Sequence, residues 1–416
     1  MKPTCVRLAV LIATAAAVCA EPAPLGPADL PEAATKVVGT QREGVADLAF
    51  AADGRAIVFL SRESRRLNAA RAASGVLRVV DTATGRIRLE ATIEDNLYSA
   101  SLSPDAGRAA AGCPVGDKTG ASGATVWDVA SGKVLYTAEA PPACWSSDSK
   151  TLVVRHRDTG EVLLLDAATG KVLKRLPCFR GQAFDMRCVG KKLVALGHNG
   201  QLKGEARLWD LESGAVLLER SDFEGPLMRY AATADDSERG WGYTGGLVRL
   251  WNLKSMKYTR EYDSSGRAPA WSPDGDAIAI AWGDSVTIHR SSGDPVKIGG
   301  DLPPLRPPVR PKRGHGDTEP DATTVIPLIT HTEFSPDGGE ILVCGRDGTG
   351  SLWSTTTGVL EARFASPRRG TDPEIMDARW APDGRSFVTA AATGDLLRWD
   401  RDALLEAWKG RAKDGK

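Results

Sequence analysis

One pair of turns recurs along almost the whole chain and constrains its fold more than any other feature. The clearest copy is Glu333 to Gly358, EFSPDGGEILVCGRDGTGSLWSTTTG, where short strands rich in β-branched and aromatic residues alternate with polar turns. Proline fixes φ in the first turn, aspartate bonds to the backbone downstream, and glycine accepts a positive φ. Because one such hairpin unit is marginal in water, the chain must pack many copies together.

Both turns recur eight times. The first contains Asp53, Asp105, Asp148, Lys191, Asp236, Asp274, Asp337 and Asp383, and the second begins at Asp81, Asp128, Asp166, Asp210, Asn252, Arg290, Ser354 and Asp400. The mean interval of the second series is about 46 residues, the period of a four-stranded propeller blade. A β-sandwich has similar strands but does not repeat one motif at one period. The sequence predicts an all-β fold, an eight-bladed β-propeller of four-stranded blades, with seven blades as the alternative.

The two ends of the repeat region predict how the ring closes. Residues Lys36–Thr40 read like the outer strands of other repeats, such as Lys133–Tyr136, although they lie at the other end of the chain. After the last repeat the chain reads as a helix capped by Asp402, which makes a poor outer strand. We expect residues 35 to 41 to complete the blade that begins near Ile375, so that an N-terminal strand closes the ring and removes the free edges.

Several repeats end their third strand in the dipeptide Trp-Asp or a close variant. These dipeptides are Trp127-Asp128, Trp209-Asp210, Trp399-Asp400, Trp251-Asn252 and Trp353-Ser354. Together with the repeat count, they make the chain resemble the WD-repeat β-propeller family over about residues 35 to 400, and in particular its divergent bacterial exported members. The Gly-His dipeptide that usually opens each repeat occurs only twice, at Gly197-His198 and Gly314-His315, and not as a repeated feature. The family's intrablade hydrogen-bond set is therefore not carried over, and we expect packing to hold the blades. The resemblance implies a scaffold and names no partner.

The N-terminal region reads as an export signal. A basic start precedes the apolar core Leu8–Val18, and small residues lead to a predicted cleavage site after Ala20. A lipid anchor on Cys19 is the less favoured alternative, and no stretch is long enough to predict a transmembrane segment. The predicted protein is thus periplasmic or extracellular. Its predicted organisation is a signal peptide at 1–20, a Pro/Ala-rich linker at 21–34, the propeller at 35–410 and a tail at 411–416.

Charge and cysteine content exclude several classes of function. The chain has 53 basic and 53 acidic residues, so it lacks the basic excess that nucleic-acid binding requires. Five of its seven cysteines follow the signal, an odd number without a CxxC pair, so we predict neither a disulfide framework nor a zinc site. Cys178 and Cys188 are expected to lie too far apart to bond. His289 takes a slot that other repeats give to Trp, which indicates packing, and the histidine spacings predict no metal and no cofactor.

Loop length and charge indicate the binding side. If strands A to D run outward from the axis, the predicted long loops are the B–C and D–A connections, which share one face. They are Arg62 to Gly75, Cys113 to Gly123, His198 to Gly204 and Pro303 to Thr324. Insertions on one face of a repeat protein often mark its binding side. Two of these loops are basic, and the predicted binding residues are Arg62, Arg65, Arg66, Arg71, Arg306, Arg310, Lys312 and Arg313.

Arginine binds carboxylate and phosphate groups in a bidentate fashion, so the predicted partner is a protein with an acidic surface or an anionic envelope polymer. A solvated loop that only spaces two blades is the alternative. The predicted function is a non-catalytic interaction platform. A second hypothesis is a hydrolase, lyase or quinone-dependent dehydrogenase with its site in the central channel, and a third is a glycan-binding module. The channel candidates are Asp47, Asp185, Arg229, Glu333, Asp377 and Arg379.

Overall fold

The structure is a computed structural model. It describes residues 33–39, 43–63, 75–93, 99–113, 123–140, 142–156, 159–177, 182–199, 203–232, 238–244, 247–255, 257–263, 269–300, 329–366, 374–391 and 395–413. Within these ranges the strands form eight four-stranded antiparallel sheets. Seven of the sheets take their four strands in chain order, as a repeat of about 46 residues requires.

Strand β1 (Ala34–Gly39) precedes sheet 1, which contains β2 (Glu43–Phe50), β3 (Ala56–Glu63), β4 (Gly75–Asp81) and β5 (Ile87–Ile93). Sheet 2 contains β6 (Ser99–Leu102), β7 (Arg108–Cys113), β8 (Gly123–Asp128) and β9 (Val134–Ala138), and sheet 3 contains β10 (Pro142–Trp145), β11 (Thr151–Arg155), β12 (Val162–Asp166) and β13 (Val172–Leu176). Sheet 4 contains β14 (Gln182–Val189), β15 (Lys192–His198), β16 (Gly204–Asp210) and β17 (Val216–Phe223).

Sheet 5 contains β18 (Leu227–Ala232), β19 (Glu238–Thr244), β20 (Leu247–Asn252) and β21 (Lys257–Asp263), and sheet 6 contains β22 (Ala270–Trp271), β23 (Ala277–Trp282), β24 (Ser285–Arg290) and β25 (Val296–Gly299). Sheet 7 contains β26 (Ile329–Phe334), β27 (Glu340–Gly345), β28 (Thr349–Ser354) and β29 (Leu360–Ala365). Sheet 8 contains β30 (Ile375–Trp380), β31 (Ser386–Ala391), β32 (Asp395–Asp400) and, as its fourth strand, β1. Helix α1 (Arg401–Lys413) follows β32.

The fourth strand of sheet 8 comes from the other end of the chain. Strand β1 pairs antiparallel with β32, in a register that places Ala34 opposite Trp399 and Gly39 opposite Asp395. This pairing agrees with the prediction for residues 35 to 41. The predicted helix also forms, but its cap differs: Asp400, not Asp402, accepts a hydrogen bond at 2.9 Å from the backbone N–H of Ala403. Asp402 already lies in the first helical turn, where its carboxylate pairs with Arg401.

Two kinds of capped turn recur between strands of the same sheet. In the first, Ser335 Oγ donates to Asp337 Oδ1 at 2.6 Å, while Asp337 accepts the Gly339 N–H at 3.0 Å. In the second, Asp128 Oδ1 accepts the Ser131 N–H at 2.7 Å. Gly170 closes a second-type turn with φ +72°, and a Cβ there would lie 2.5 Å from the Tyr136 ring of the preceding sheet. Glycine is therefore required both for the positive φ and for the approach of neighbouring sheets.

Tryptophans on the third strands fill the seams, our term for the boundaries between neighbouring sheets. Trp127 of sheet 2, for example, packs against Leu77 and Val79 of sheet 1. Trp209, Trp251, Trp353 and Trp399 join seam clusters in the same way. In sheet 6 the slot belongs to His289, which stacks on Tyr262 of sheet 5 with ring centroids 3.9 Å apart. The predicted packing role of these positions is confirmed.

The sheets are arranged around their first strands. Successive first strands contact each other from β2 through β18 and from β22 through β30. In addition, β2 of sheet 1 contacts β30 of sheet 8. The same seam is apolar, because Leu48 and Ile57 of sheet 1 cluster with Val388 and Leu396 of sheet 8. Radial sheets that meet along their first strands form a β-propeller, and these strands line its middle.

Candidate functional site

The two ends of the sheets differ in the length of their connections. Connections from the first strand to the second and from the third to the fourth are never longer than five residues. On the opposite end, the connections at 64–74, 114–122, 300–328 and 366–374 are each nine residues or longer. Three of these were predicted. The fourth predicted loop, between His198 and Gly204, has only the five residues of an ordinary turn, and the connection at 366–374 was not counted.

The predicted basic binding residues lie on two of the long connections, except for Arg62. Arg62 is near the end of β3, where its backbone pairs with Gly44 and Gly75. The side chain of Arg62 lies outside the described part of the structure, as do the other seven residues in full: Arg65, Arg66, Arg71, Arg306, Arg310, Lys312 and Arg313. Their role in binding stays a prediction. The arrangement of the strands places both connections on the same end of the sheets.

The repeated aspartates of the first turn are turn caps. Each accepts a hydrogen bond from the backbone N–H two residues later, at 2.9 to 3.1 Å. The six are Asp53, Asp105, Asp148, Asp274, Asp337 and Asp383. A hydrogen bond from Ser335 and one from the Gly339 N–H lower the pKa of Asp337, because both favour the charged carboxylate. These acids therefore serve the turns, as predicted.

A polar network crosses the seam between sheets 7 and 8 on the innermost strands. His331 on β26 lies beside Asp377 and Arg379 on β30. Arg379 Nη1 donates to Asp377 Oδ1 at 2.7 Å and to His331 Nε2 at 3.1 Å, and His331 Nδ1 is 3.3 Å from Asp377 Oδ1. Since a guanidinium can only donate, His331 Nε2 accepts and the imidazole proton sits on Nδ1, facing Asp377.

Glu333 lies one pleat further along β26 and completes the network. One of its carboxylate oxygens accepts the backbone N–H of Trp380 at 2.8 Å, which ties β26 to β30. Burial raises the pKa of Glu333 to about 7, partly opposed by the charge of Arg379 and by the Trp380 hydrogen bond, and assisted by the negative charge of Asp377. Glu333 therefore changes its charge near neutral pH.

Comparison with known proteins finds similarity in both sequence and structure. The Protein LST8 homolog of Drosophila pseudoobscura pseudoobscura is 30% identical over 156 residues, which is 36% of this chain and 45% of that protein. The chain thus matches about half the length of this curated relative. The C-terminal WD40 domain of Sif2 superposes with a TM-score of 0.59 at 14% identity, over 89% of this chain and 99% of that domain.

The chain is a WD-repeat β-propeller. No family model matches the sequence. This agrees with the weak Trp-Asp pattern and with the near absence of Gly-His dipeptides. The resemblance to WD-repeat propellers is confirmed, the bacterial exported type stays a prediction, and the likeness to Sif2 shows the fold alone.

The predicted channel residues of this WD-repeat propeller are brought together only in part. Glu333, Asp377 and Arg379 form one network, and His331, which sequence reasoning missed, joins it. The side chains of the other three, Asp47, Asp185 and Arg229, lie outside the described residues. A signal for His331 existed, because it stands two residues before Glu333 on a strand, and residues two apart point to the same side.

The network can hold a proton near neutral pH and keeps two blades together, but its groups already bind one another. Among the residues that the structure describes, no group of three or more His, Cys, Asp or Glu side chains is placed to hold a metal ion. In the same residues, no helix has the length and apolar character needed to cross a bilayer.

Proposed function

We propose that this WD-repeat propeller is a non-catalytic interaction platform whose long-loop face binds a protein partner. Connection length supports this function: every described connection at one end of the sheets is five residues or shorter, while four at the other end have nine or more. Capped turns and filled seams hold the strands that carry these connections. Loops on a rigid scaffold are the usual site of binding residues.

The proposal includes a closed ring of eight blades. Its support is the set of eight four-stranded sheets, the apolar cluster between sheets 8 and 1, and the β1–β32 pairing. Deletion of Ala34–Gly39 would leave β32 with an unpaired edge, so we expect an insoluble or protease-sensitive protein. A deletion variant with an unchanged melting temperature would contradict the closure.

The proposed partner has an acidic surface. The basic residues predicted from the sequence, four at the end of β3 and on the connection after it and four on the connection after β25, would supply bidentate contacts to its carboxylates. The export signal predicted at residues 1–20 would bring the two proteins together in the cell envelope or outside the cell. Such contacts weaken as salt screens the charges.

The test is a pull-down from an envelope extract at low and high salt, read by mass spectrometry. One variant replaces residues 64–74 and 303–316 with short Gly/Ser turns, and a second changes the eight basic residues to serine. A matched control changes the exposed Lys133, Lys150 and Lys171 to serine at the tight-turn end. We expect the parent and the control to retain one acidic protein that both loop variants lose. Capture of the same partner by all four proteins would reject the long-loop face.

The polar network on β26 and β30 supports a second candidate function, an enzyme with its site in the channel. Glu333, with its pKa of about 7, has the proton affinity of a general acid or base. The test is the absorbance and metal content of the purified protein, followed by activity screens with Glu333→Gln as the control. A bound metal or quinone, or a hydrolysis rate that Glu333→Gln removes, would favour the enzyme over the platform.

A further inference from the structure

Two cysteines face each other across the seam between sheets 3 and 4. Cys144 lies on β10 and Cys188 on β14, the innermost strands of their sheets, and their Sγ atoms are 3.4 Å apart. Both side chains are partly buried beside an apolar cluster that includes Val153 and Leu193. The two thiols are thus in contact and still within reach of small solutes.

The distance between the sulfurs is short enough for a covalent bond with little rearrangement. A disulfide needs the sulfurs about 2.05 Å apart, so each side chain would have to move by only about 0.7 Å. The register of the ladder between β10 and β11 shifts next to Cys144, between Pro142 and Cys144, so this strand is not locked into a regular pairing there. The two innermost strands also contact each other directly.

A third cysteine shows what a protected thiol looks like in this fold. Cys344 on β27 is fully buried, and burial together with the nearby Asp377 and Glu333 raises the pKa of its thiol well above the usual value. Because the thiolate is the nucleophile in disulfide exchange, Cys344 should be inert. Cys144 and Cys188 differ from it in being partly exposed and in facing each other.

We propose that Cys144 and Cys188 form a disulfide that links blades 3 and 4, made by exchange with a small-molecule or protein disulfide. The thiolate of one cysteine attacks the oxidant's S–S bond and releases one thiol, which leaves a mixed disulfide. The second cysteine attacks this mixed disulfide and releases the other thiol. The two protein thiols lose two protons and two electrons, and the oxidant is reduced to two thiols, which take up both.

The chain spacing explains why sequence reasoning overlooked the pair. Cys144 and Cys188 are 44 residues apart, close to one repeat, so they occupy neighbouring blades at similar depth. Only the closest pair in sequence, Cys178 and Cys188, was considered, and it was expected to lie too far apart to bond. A separation of one repeat period is the signal that would have found the pair, because equivalent residues of adjacent blades are neighbours.

The test equilibrates the purified full-length protein in glutathione buffers that run from reducing to oxidising. The protein is then quenched in acid, unfolded and alkylated, and its mass and tryptic peptides are measured. We expect two fewer alkylated cysteines per chain in the oxidising buffer, and a peptide pair that joins Cys144 to Cys188. Excess reduced glutathione should restore both thiols.

Three variants give the controls. Cys144→Ser and Cys188→Ser should each abolish the linked peptide, whereas Cys178→Ser should leave it unchanged. If a serine variant fails to fold, the peptide map of the unsubstituted protein still decides. The proposal is overturned if Cys188 is found linked to Cys178, if each cysteine carries only glutathione, or if both thiols remain fully alkylated with excess glutathione disulfide.

Discussion

Two seams of the propeller show how differently neighbouring blades can be held together. The 7–8 seam is filled by aromatic rings, where the ring centroid of Phe364 lies 4.5 Å from that of Trp399 and 5.2 Å from that of Phe387, both in tilted arrangements. The 5–6 seam has a small aliphatic cluster that includes Leu250 and Ile278, with Tyr262 and Trp271 partly buried against it. The aromatic seam also carries helix α1 on its outer side, because Leu404 and Trp408 pack against the same cluster.

The polar contacts of the two seams also differ, because one seam depends on a carboxylate and the other on a histidine and an arginine. Glu333 binds across the 7–8 seam through its carboxylate, which is stable in the protonated form up to about pH 7. The 5–6 seam depends on the stack of His289 on Tyr262 and on Arg260, which donates to the Arg290 carbonyl at 2.8 Å. Repeats with the same backbone can therefore have seams of unequal strength and opposite pH response, since each seam depends on its own side chains.

The largest expected effect on the free energy of unfolding comes from core packing, and it differs between the two seams. Leu397 and Leu250 are buried to the same degree, 4% and 6% exposed, in the 7–8 and 5–6 seams respectively. We expect Leu397→Ala to lower the free energy of unfolding by about 4 kcal/mol and Leu250→Ala by about 3 kcal/mol, because rigid aromatic neighbours cannot collapse into the cavity. Urea denaturation measures both. Equal losses would show that the two seams relax alike.

The second prediction concerns the stability of the 7–8 seam as the pH rises. The folded-state pKa of Glu333, about 7, lies above its usual value of 4.5, so the folded protein binds the extra proton between these values. Stability should fall as the pH rises from about 4.5 to about 7, by about 2 kcal/mol after allowance for solvent. Glu361, whose pKa is also raised to about 7, adds to the same trend.

Glu333→Gln keeps an oxygen for the Trp380 N–H and removes the charge. We expect this variant to be more stable than the parent at pH 8 and equally stable at pH 4, as followed by thermal melting across the pH range. A difference that does not depend on pH would mean that Glu333 acts only through packing.

An effect of similar size should come from the helix that covers the 7–8 seam. Arg401 binds Glu340 through two hydrogen bonds of 2.7 Å, and the Glu340 side chain is only 8% exposed. Arg401→Ala should cost about 2 kcal/mol, because it leaves a buried carboxylate without its cation. Lys409→Ala, which removes an exposed pair with Glu406, is the matched control and should cost less than about 0.5 kcal/mol.

The smallest expected change is the loss of stability at the 5–6 seam as the pH falls. Burial and the charge of Arg260 lower the pKa of His289 below its usual 6.5, so the unfolded chain takes up a proton there before the folded protein does. Stability should therefore fall as the pH drops below about 6.5. His289→Phe keeps the stack with Tyr262 and should flatten this acid limb in thermal melts. An acid limb of the same steepness would assign it to other groups.

The fold was largely predictable because its determinants are local. A Pro-Asp-Gly turn specifies its own hydrogen bonds wherever it occurs, as Asp337 and Gly339 show. Contacts between repeats were harder to predict. His331 and the Cys144–Cys188 pair were missed because they depend on which strand position faces the next blade. Asp402 was chosen over Asp400 because both aspartates, two positions apart, fit a helix start. Side chains on long connections have no such local rule.

The pairing of β1 with β32 sets an order of events when the chain is made. Ala34 and Trp399 are 365 residues apart in sequence, yet they are partners in one ladder. At about 5 to 20 residues per second, the first strand would wait roughly 20 to 70 s for the strand it pairs with. Until then the partly made protein has two unpaired strand edges. A chaperone that covers exposed strand edges would therefore act while the chain is still being made. A chain whose synthesis stops early would keep its unpaired edges and would aggregate rather than fold into a smaller functional protein.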